Sequence, residues 1–282
     1  MKWYTNYLST YETPFTQVPQ PIIDLVKDKI KQIETDNPLV SVVAIAHNEE
    51  NRILSCIRSL CENKCDFPIE ILVVNNHSTD HTEDVLKALG VTYFNENRKG
   101  PGFARQCGLN HAKGKYHICI DSDTLYPPHY ISTMVRALQK RNVVCAYSLW
   151  SFLPDECYSN TGLFFYETMR DIYLRIQNLR RPELNVRGMV FAFHTETARK
   201  EGFRTDIIRG EDGSLALALK KYGKLKFVTT RKARAITGYG TISADGSLFN
   251  SFKKRVIKGI EHWTSLFYSK HKYKDEDSNL IK

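Results

Sequence analysis

Long apolar runs, zinc-type cysteine spacings and an excess of acidic residues are all missing from this sequence of 282 residues. No stretch reaches the roughly 20 apolar residues that a membrane-spanning helix needs. Residues 1–6 also lack the apolar core of a signal peptide. We therefore expect a cytoplasmic protein. Its seven cysteines are scattered through apolar segments, which is typical of reduced and mostly buried thiols.

Two glycine signatures that bind nucleotide phosphates are missing as well. No Gly-x-x-x-x-Gly-Lys-Ser/Thr sequence is present, which argues against the phosphate loop of many nucleotide hydrolases. No Gly-x-Gly-x-x-Gly follows the first predicted strand, which disfavours a dinucleotide-binding oxidoreductase. The net charge of +9 nevertheless suits an anionic partner, and nucleotide phosphates, nucleic acid and an acidic membrane surface all fit that description.

Apolar strand patterns alternate with helical patterns from residue 39 onward. Strands are predicted at 39–46, 69–74, 91–94, 116–120 and 143–149. The segments between them carry apolar residues at three-and-four spacing, which indicates helices. Such alternation with short connections predicts an α/β fold with a mainly parallel sheet, helices on both faces, and ligands bound at the carboxyl ends of the strands.

The sequence predicts one main domain, residues 39–240, with a segment on either side. Residues 1–38 contain prolines and one short helical pattern, and we expect them to form an arm lying on the main body. Residues 241–282 place apolar side chains at helical spacing among lysines, which predicts an amphipathic helix and a tail. Such a helix either packs on its own domain or lies on an anionic membrane.

Two acids, Asp121 and Asp123, come directly after the predicted strand at 116–120, with Ser122 between them. Two carboxylates one residue apart converge on a single cation if the chain bends at that point. Mg²⁺ and Mn²⁺ prefer such oxygen ligands and usually complete their shell with substrate phosphates. The pattern therefore indicates a metal site with a phosphate-bearing ligand, and the alternative is a solvated turn.

Residues 98–105 form a basic segment broken by glycine that opens a helix. Backbone N–H groups and the helix dipole favour an anion at such a place. Arg98, Gly100 and Arg105 are therefore candidate phosphate contacts, and a solvated basic turn is the alternative. A second helix start, at Glu211 and Asp212 after Gly210, suits carboxylates for the same electrostatic reason, and taken alone it is a helix cap.

Taken together, these segments resemble the inverting family-2 glycosyltransferases with the GT-A fold. Residues 43–50, 73–82, 100–114 and 118–123 match the nucleotide-binding half of that family in order and spacing. Residues 188–193 and 209–212 resemble its acceptor side and its Glu-Asp motif. The resemblance covers roughly residues 39–240 and divides them into a nucleotide-sugar-binding half, 39–125, and an acceptor and catalytic half, 126–240.

The resemblance implies roles for individual residues. Asp123 would ligate Mn²⁺ or Mg²⁺ at the donor diphosphate, and Asp121 would hold the ribose or the waters of the metal. His194 is a further candidate metal ligand, although a lone histidine is more often structural. Asp212 would be the general base, with Glu211 as the next candidate. The donor pocket would be lined by Ala46, His47, Glu49, Asn75, Arg98, Gly100, Arg105, Asp121 and Ser122.

Two departures from the family pattern concern the nucleotide base. Many relatives carry an acid where this chain has Asn75 and Asn76, and a tyrosine where it has His47. An amide donates as well as accepts hydrogen bonds. We therefore expect a preference for uridine that is less strict than in those relatives.

The function expected from the resemblance is metal-dependent transfer of a hexose or N-acetylhexosamine from a UDP-sugar to a glycan or lipid-linked acceptor during synthesis of a surface polysaccharide. Attack in line with the leaving diphosphate would invert the anomeric carbon. The alternative is a non-catalytic nucleotide-sugar-binding protein with the same pocket. No nucleic-acid partner is expected, and the segment 241–282 would supply any peripheral contact with the inner face of the cell membrane.

Overall fold

A seven-stranded sheet forms the centre of the computed structural model, which describes residues 2–154 and 160–238. The strands are β1 (Val40–Ala46), β2 (Ile69–Asn76), β3 (Thr92–Glu96), β4 (Tyr116–Asp121), β6 (Val143–Ser148), β8 (Phe191–His194) and β9 (Lys224–Val228). Their spatial order is β3-β2-β1-β4-β8-β6-β9. Strand β8 is antiparallel to both β4 and β6, and the remaining pairs are parallel. The sheet is therefore mainly parallel, which is what the sequence predicts.

A smaller sheet lies beside the first and has the order β5-β10-β7. Its strands are β5 (Thr124–Leu125), β7 (Trp150–Phe152) and β10 (Ala235–Thr237). The helices are α1 (Gln20–Ile33), α2 (Ile53–Cys61), α3 (Thr82–Leu89), α4 (Pro101–His111), α5 (Tyr130–Leu138), α6 (Asn160–Asn178), α7 (Thr195–Arg199) and α8 (Glu211–Leu219). No helix in the described part of the chain is both long and apolar enough to cross a membrane.

Helices cover both faces of the central sheet because successive side chains of a strand point to opposite faces. Val42 on β1 joins the apolar cluster formed with α1, α2, α3 and α5. Its neighbour Val43 joins a second cluster with Ala104 of α4. Strands β1 and β4 are thus buried on both faces, which explains their nearly continuous apolar sequence. The predicted α/β fold is confirmed.

Some local predictions are wrong. Asn48, directly after β1, is predicted from the sequence to cap the next helix, but α2 begins at Ile53. Asn48 instead adopts a left-handed conformation with φ of 58°, and its side chain accepts from the Thr79 N–H at 2.8 Å. The apolar pattern at 188–194 predicts a strand, but residues 188–190 form a 3₁₀ turn and the strand β8 begins only at Phe191. The sequence also predicts a strand and basic turn at 228–234, whereas β9 ends at Val228 and residues 231–233 form a 3₁₀ turn.

The first residues of the chain pack on the main body through aromatic side chains. Tyr4 and Tyr7 form an apolar cluster with Leu125, Leu153 and Ile236. The arm therefore touches the smaller sheet next to the end of β4. The helix and tail predicted for 241–282 lie outside the described residues.

Candidate active site

The carboxyl ends of β1, β2 and β4 meet at one edge of the central sheet. Ala46 is in register with Asn75, and Ile45 with Asp121. Strand β1 lies between the other two, so residues from distant parts of the sequence line one groove. This is the edge at which parallel sheets bind ligands.

Asp123 lies in a turn between β4 and β5 and is half-buried. It accepts hydrogen bonds from the hydroxyls of Thr124 at 2.8 Å and Thr237 at 3.4 Å. Burial, with the nearby charge of Asp121, raises the pKa of the Asp123 carboxyl. Its backbone carbonyl accepts from the Tyr11 hydroxyl at 2.7 Å. Tyr11 and Thr237 had no sequence signal, because they come from the two ends of the described chain.

Glu49 is a third carboxylate at this edge. Burial and the charge of Asp123 raise its pKa to about 8, although Arg52 opposes this shift with its Nε 2.9 Å from the carboxylate. Clustered carboxylates of this kind favour a divalent cation, which would relieve their repulsion. Asp121 and Asp123 fit Mn²⁺ or Mg²⁺ as hard oxygen donors. No group of three potential ligands is assembled within the described residues, so donor phosphates and water would have to complete the shell.

His194 is not at this edge, and its prediction as a metal ligand is wrong. It pairs with Tyr116 at the first residue of β4, whereas Asp121 is the last residue of that strand. At roughly 3.3 Å per residue the two ends are about 16 Å apart. The cause is the antiparallel direction of β8, which sends its carboxyl end to the opposite edge of the sheet.

The loop after β1 is fixed by contacts with the segment after β2. His47 Nδ1 donates to the carbonyl of Asn76 at 2.8 Å. The Glu49 N–H donates to the Thr82 hydroxyl at 2.7 Å. Beside this loop lies an open cleft of about 370 Å³ lined by Glu12, Asn48, Glu49, Glu50, Asn51, Arg52 and Asp80. The side of the groove next to Asp123 is therefore preformed and acidic.

The two asparagines at the end of β2 have different contacts. Asn75 donates to the Asn95 side chain at 2.8 Å, and its own buried Oδ1 has no hydrogen-bond partner. Asn76 donates to the carbonyl of Arg98 at 2.7 Å and accepts from the Gly100 N–H at 3.0 Å. Asn75 therefore has a buried acceptor without a protein partner, whereas Asn76 holds the basic loop in place.

The groups of that loop expected to contact phosphate already have protein partners. The Gly100 N–H is taken by Asn76, as described above. Arg98 donates through Nε and Nη2 to Glu96 at 2.9 and 2.8 Å, and its guanidinium lies over the Phe103 ring. The loop thus has a structural role that its composition did not reveal. An anion would have to compete with Glu96 for Arg98.

Arg105 is the main correction to the predicted donor pocket, because its side chain is only 2% exposed. Nη1 donates to the Ile120 carbonyl at 2.8 Å, Nη2 donates to the Asp121 carboxylate, and Nε lies 3.6 Å from Asp212 Oδ1. Burial lowers the pKa of the guanidinium, but Asp121 and then Asp212 outweigh it, so the pKa is raised. Arg105 therefore lies beneath the groove as a buried cation that links the two carboxylates.

Asp212 and Glu211 begin α8 and are both buried. Burial raises the pKa of Asp212 against the effect of Arg105, and burial with the adjacent Asp212 raises that of Glu211 to about 8. Asp212 Oδ1 has no hydrogen-bond partner. Gly210 is the N-cap of α8, so neither carboxylate belongs to the capping residue, and both lie in the first turn, where the helix dipole favours negative charge. A buried carboxylate with an oxygen that accepts no hydrogen bond, here 3.6 Å from Arg105 Nε, is suited to accept a proton.

Gly188 allows the pairing of Arg105 with Asp212. A Cβ at this position would lie 2.1 Å from Arg105 Nη2 and 2.6 Å from Asp212 Oδ2. Both distances are far below van der Waals contact, so a larger residue must displace one of the two partners.

Gly188→Ala is therefore expected to lower the free energy of unfolding by about 1–3 kcal/mol, the usual cost of overpacking a closed site. Thermal unfolding of the variant and the wild type would measure this change, and the rate of sugar transfer should fall as well. Unchanged stability and unchanged rate together would show that Arg105 and Asp212 need not be paired.

A family model described as glycosyl transferase family 2 matches residues 41–200, and the chain belongs to this family. An uncharacterized glycosyltransferase of Rickettsia prowazekii is 32% identical over 142 residues, which are 45% of this chain and 44% of that protein. An Escherichia coli protein, the UDP-Glc:alpha-D-GlcNAc-diphosphoundecaprenol beta-1,3-glucosyltransferase WfaP, is 28% identical over 130 residues, 45% of this chain and 51% of its own. The matches thus span about half the length of these relatives.

Two solved structures have the same fold. The mannosyltransferase PcManGT of Pyrobaculum calidifontis, in complex with GDP-Man and Mn²⁺, has a TM-score of 0.57 at 22% identity, covering 84% of this chain and 72% of its own. TarS of S. aureus, residues 1–349 in complex with UDP-GlcNAc, has a TM-score of 0.51 at 17% identity, covering 71% and 58%. The fold is that of GT-A glycosyltransferases.

Proposed function

We propose that this protein transfers a sugar, with inversion, from a UDP-sugar to a hydroxyl group of a glycan or lipid-linked acceptor. The observation that carries the proposal is the buried Asp212, whose Oδ1 accepts no hydrogen bond and lies 3.6 Å from Nε of Arg105, which in turn pairs with Asp121 at the strand ends. A base is thereby held at a fixed place relative to the donor site. The relatives support a nucleotide-sugar donor, since WfaP is named for UDP-Glc and a diphosphoundecaprenol-linked acceptor.

In the proposed mechanism Asp212 takes the proton of the acceptor hydroxyl. The acceptor oxygen forms a bond to the anomeric carbon as the bond between that carbon and the diphosphate breaks. Arg105 holds Asp212 and Asp121 in a fixed relation and neutralises part of their charge. Asp121 and Asp123 would hold Mn²⁺ or Mg²⁺, and such an ion stabilises the negative charge of a leaving diphosphate. Attack from the face opposite the leaving group inverts the anomeric configuration.

Turnover of a panel of nucleotide sugars with Mn²⁺ tests this proposal against the non-catalytic alternative. The expected result is release of a nucleoside diphosphate together with a rise in melting temperature on donor binding, because ligands stabilise the folded state. A donor that raises the melting temperature but is never turned over, with any acceptor in the panel, would indicate a nucleotide-sugar-binding protein.

The base preference is a separate prediction. The Oδ1 of Asn75, which has no protein partner, can accept the N3–H of uracil, which cytosine lacks, so UDP should bind more tightly than CDP in a competition series that also includes dTDP and GDP. Asn75→Ala should reduce the preference for UDP over CDP by about fivefold, the equivalent of about 1 kcal/mol for one hydrogen bond.

Asn110→Ala is the matched control, since Asn110 is exposed on α4 and its side chain accepts a hydrogen bond from Gln106, one turn earlier on the same helix. Tightest binding by GDP, the nucleotide in the PcManGT complex, would overturn the uridine assignment and leave the enzyme class unchanged.

A further inference from the structure

Helix α6 has an exposed apolar face. Its residues are Phe164, Phe165, Met169, Ile172 and Ile176, and Leu179 directly after the helix continues it. Phe165 is 64% exposed and Ile176 is 62% exposed. Water-soluble surfaces rarely carry such a continuous apolar stripe unless something binds it.

The opposite face of α6 packs against the rest of the domain, and the two acidic residues of the helix lie on that side. Leu163, Tyr166 and Leu174 are buried in the core. Glu167 accepts from the Ser151 hydroxyl at 2.7 Å, and Asp171 pairs with Arg234. Among residues 161–178, whose side chains are described, the exposed positions therefore include no carboxylate, whereas Arg175 is exposed. The outward face of α6 is apolar and cationic.

We propose that the apolar face of α6 binds the surface of a bilayer that contains anionic lipids. A helix with one apolar face and basic residues on its polar side lies in the plane of a membrane interface. Each basic residue near an anionic leaflet adds to the attraction. A second copy of the chain is the less favourable occupant, because it would bring one net charge of +9 against another.

The position of α6 relative to the groove connects the membrane contact with the proposed function. Arg234, which pairs with Asp171 on the inner side of α6, is three residues before Thr237, whose hydroxyl contacts Asp123. At roughly 3.3 Å per residue the Cα atoms of Arg234 and Thr237 are about 10 Å apart. The Arg234 side chain and the width of α6, about 10 Å, separate that point from the exposed face, so a bilayer on α6 would lie roughly 20–30 Å from the strand ends, where a lipid-linked acceptor has to arrive. This last step rests on the proposed function, whereas the membrane contact itself does not.

Vesicle flotation of the full chain, without donor or acceptor, tests the contact. We expect binding to vesicles of phosphatidylcholine mixed with phosphatidylglycerol and much weaker binding to phosphatidylcholine alone. The double variant F165E/I176E should bind at least about tenfold more weakly, since binding scales with buried apolar area and the new charges repel the lipid. Arg175→Gln should weaken binding about fivefold, the equivalent of about 1 kcal/mol.

The control is Leu25→Glu, which changes an exposed apolar residue on α1 and should leave binding unchanged. Glutamate is a good helix former, so the double variant should keep the wild-type melting temperature. Wild-type flotation of F165E/I176E would overturn the proposal and assign the contact to residues 241–282. No binding by the wild type, with self-association that F165E/I176E abolishes, would equally overturn it in favour of a second copy.

Discussion

Asp212→Asn is expected to lower the rate of sugar transfer by about 10²–10⁴-fold, the usual cost of removing a general base. Folding and donor binding should survive. Asparagine has the size of aspartate, and burial disfavours a charged carboxylate at this position, as the raised pKa of Asp212 indicates, so the substitution should cost little stability. Arg105 keeps its pairing with Asp121 in the variant.

Two measurements on the same variant test this prediction. One is the melting temperature in the presence of donor and metal, and the other is the rate of sugar transfer. Glu211→Gln is the matched control, since it changes the adjacent buried carboxylate. Near-normal transfer by Asp212→Asn with a large loss in Glu211→Gln would transfer the role of base to Glu211. Near-normal transfer by both would remove this pair from the mechanism.

The second large effect concerns donor binding. Asp123→Asn is expected to weaken the binding of a nucleoside diphosphate by about 100-fold or more, because a metal ion contributes several kcal/mol of charge stabilisation. Chelation by EDTA should weaken binding by the wild type to a similar extent and add little further loss in the variant. Titration calorimetry with and without Mn²⁺ measures both effects.

Asp66→Asn serves as the control for Asp123→Asn, because Asp66 is almost fully exposed and its only ion pair in the described structure is a long contact with Arg136. It should bind the nucleotide as the wild type does. Unchanged affinity in Asp123→Asn and in EDTA would remove the divalent ion from the proposed mechanism.

The strand ends were predictable because each apolar run stops abruptly at polar residues. Parallel strands bring such ends to one edge, so Asn75, Asp121 and Asp123 could be grouped from the sequence. His194 could not be excluded in the same way, since its strand looks like the others and only the pairing of β8 shows that it runs in the opposite direction. The direction of a strand depends on contacts between distant segments and leaves no local pattern.

Arg105 is a second residue whose partners could not be predicted from the sequence. Its position in a glycine-broken basic segment favours contact with an anion at the helix start, and its partners are indeed anions. They are Asp121 and Asp212 of the chain itself, brought to Arg105 by β4 and α8. Composition indicates which charge a site prefers, whereas tertiary packing decides which group satisfies it. The same packing places Tyr11 and Thr237 on Asp123.

Release of nucleoside diphosphate from UDP-sugars is the most direct measurement of the central claim, that Asp212 and the strand-end carboxylates form a transfer site. Wild type and Asp212→Asn would be compared side by side, each with Mn²⁺ and with EDTA. The expected result is release by the wild type with Mn²⁺, and strong loss of release both in EDTA and in the variant that still binds the donor. Equal release by the wild type and Asp212→Asn, or release by the wild type that EDTA does not change, would contradict the claim.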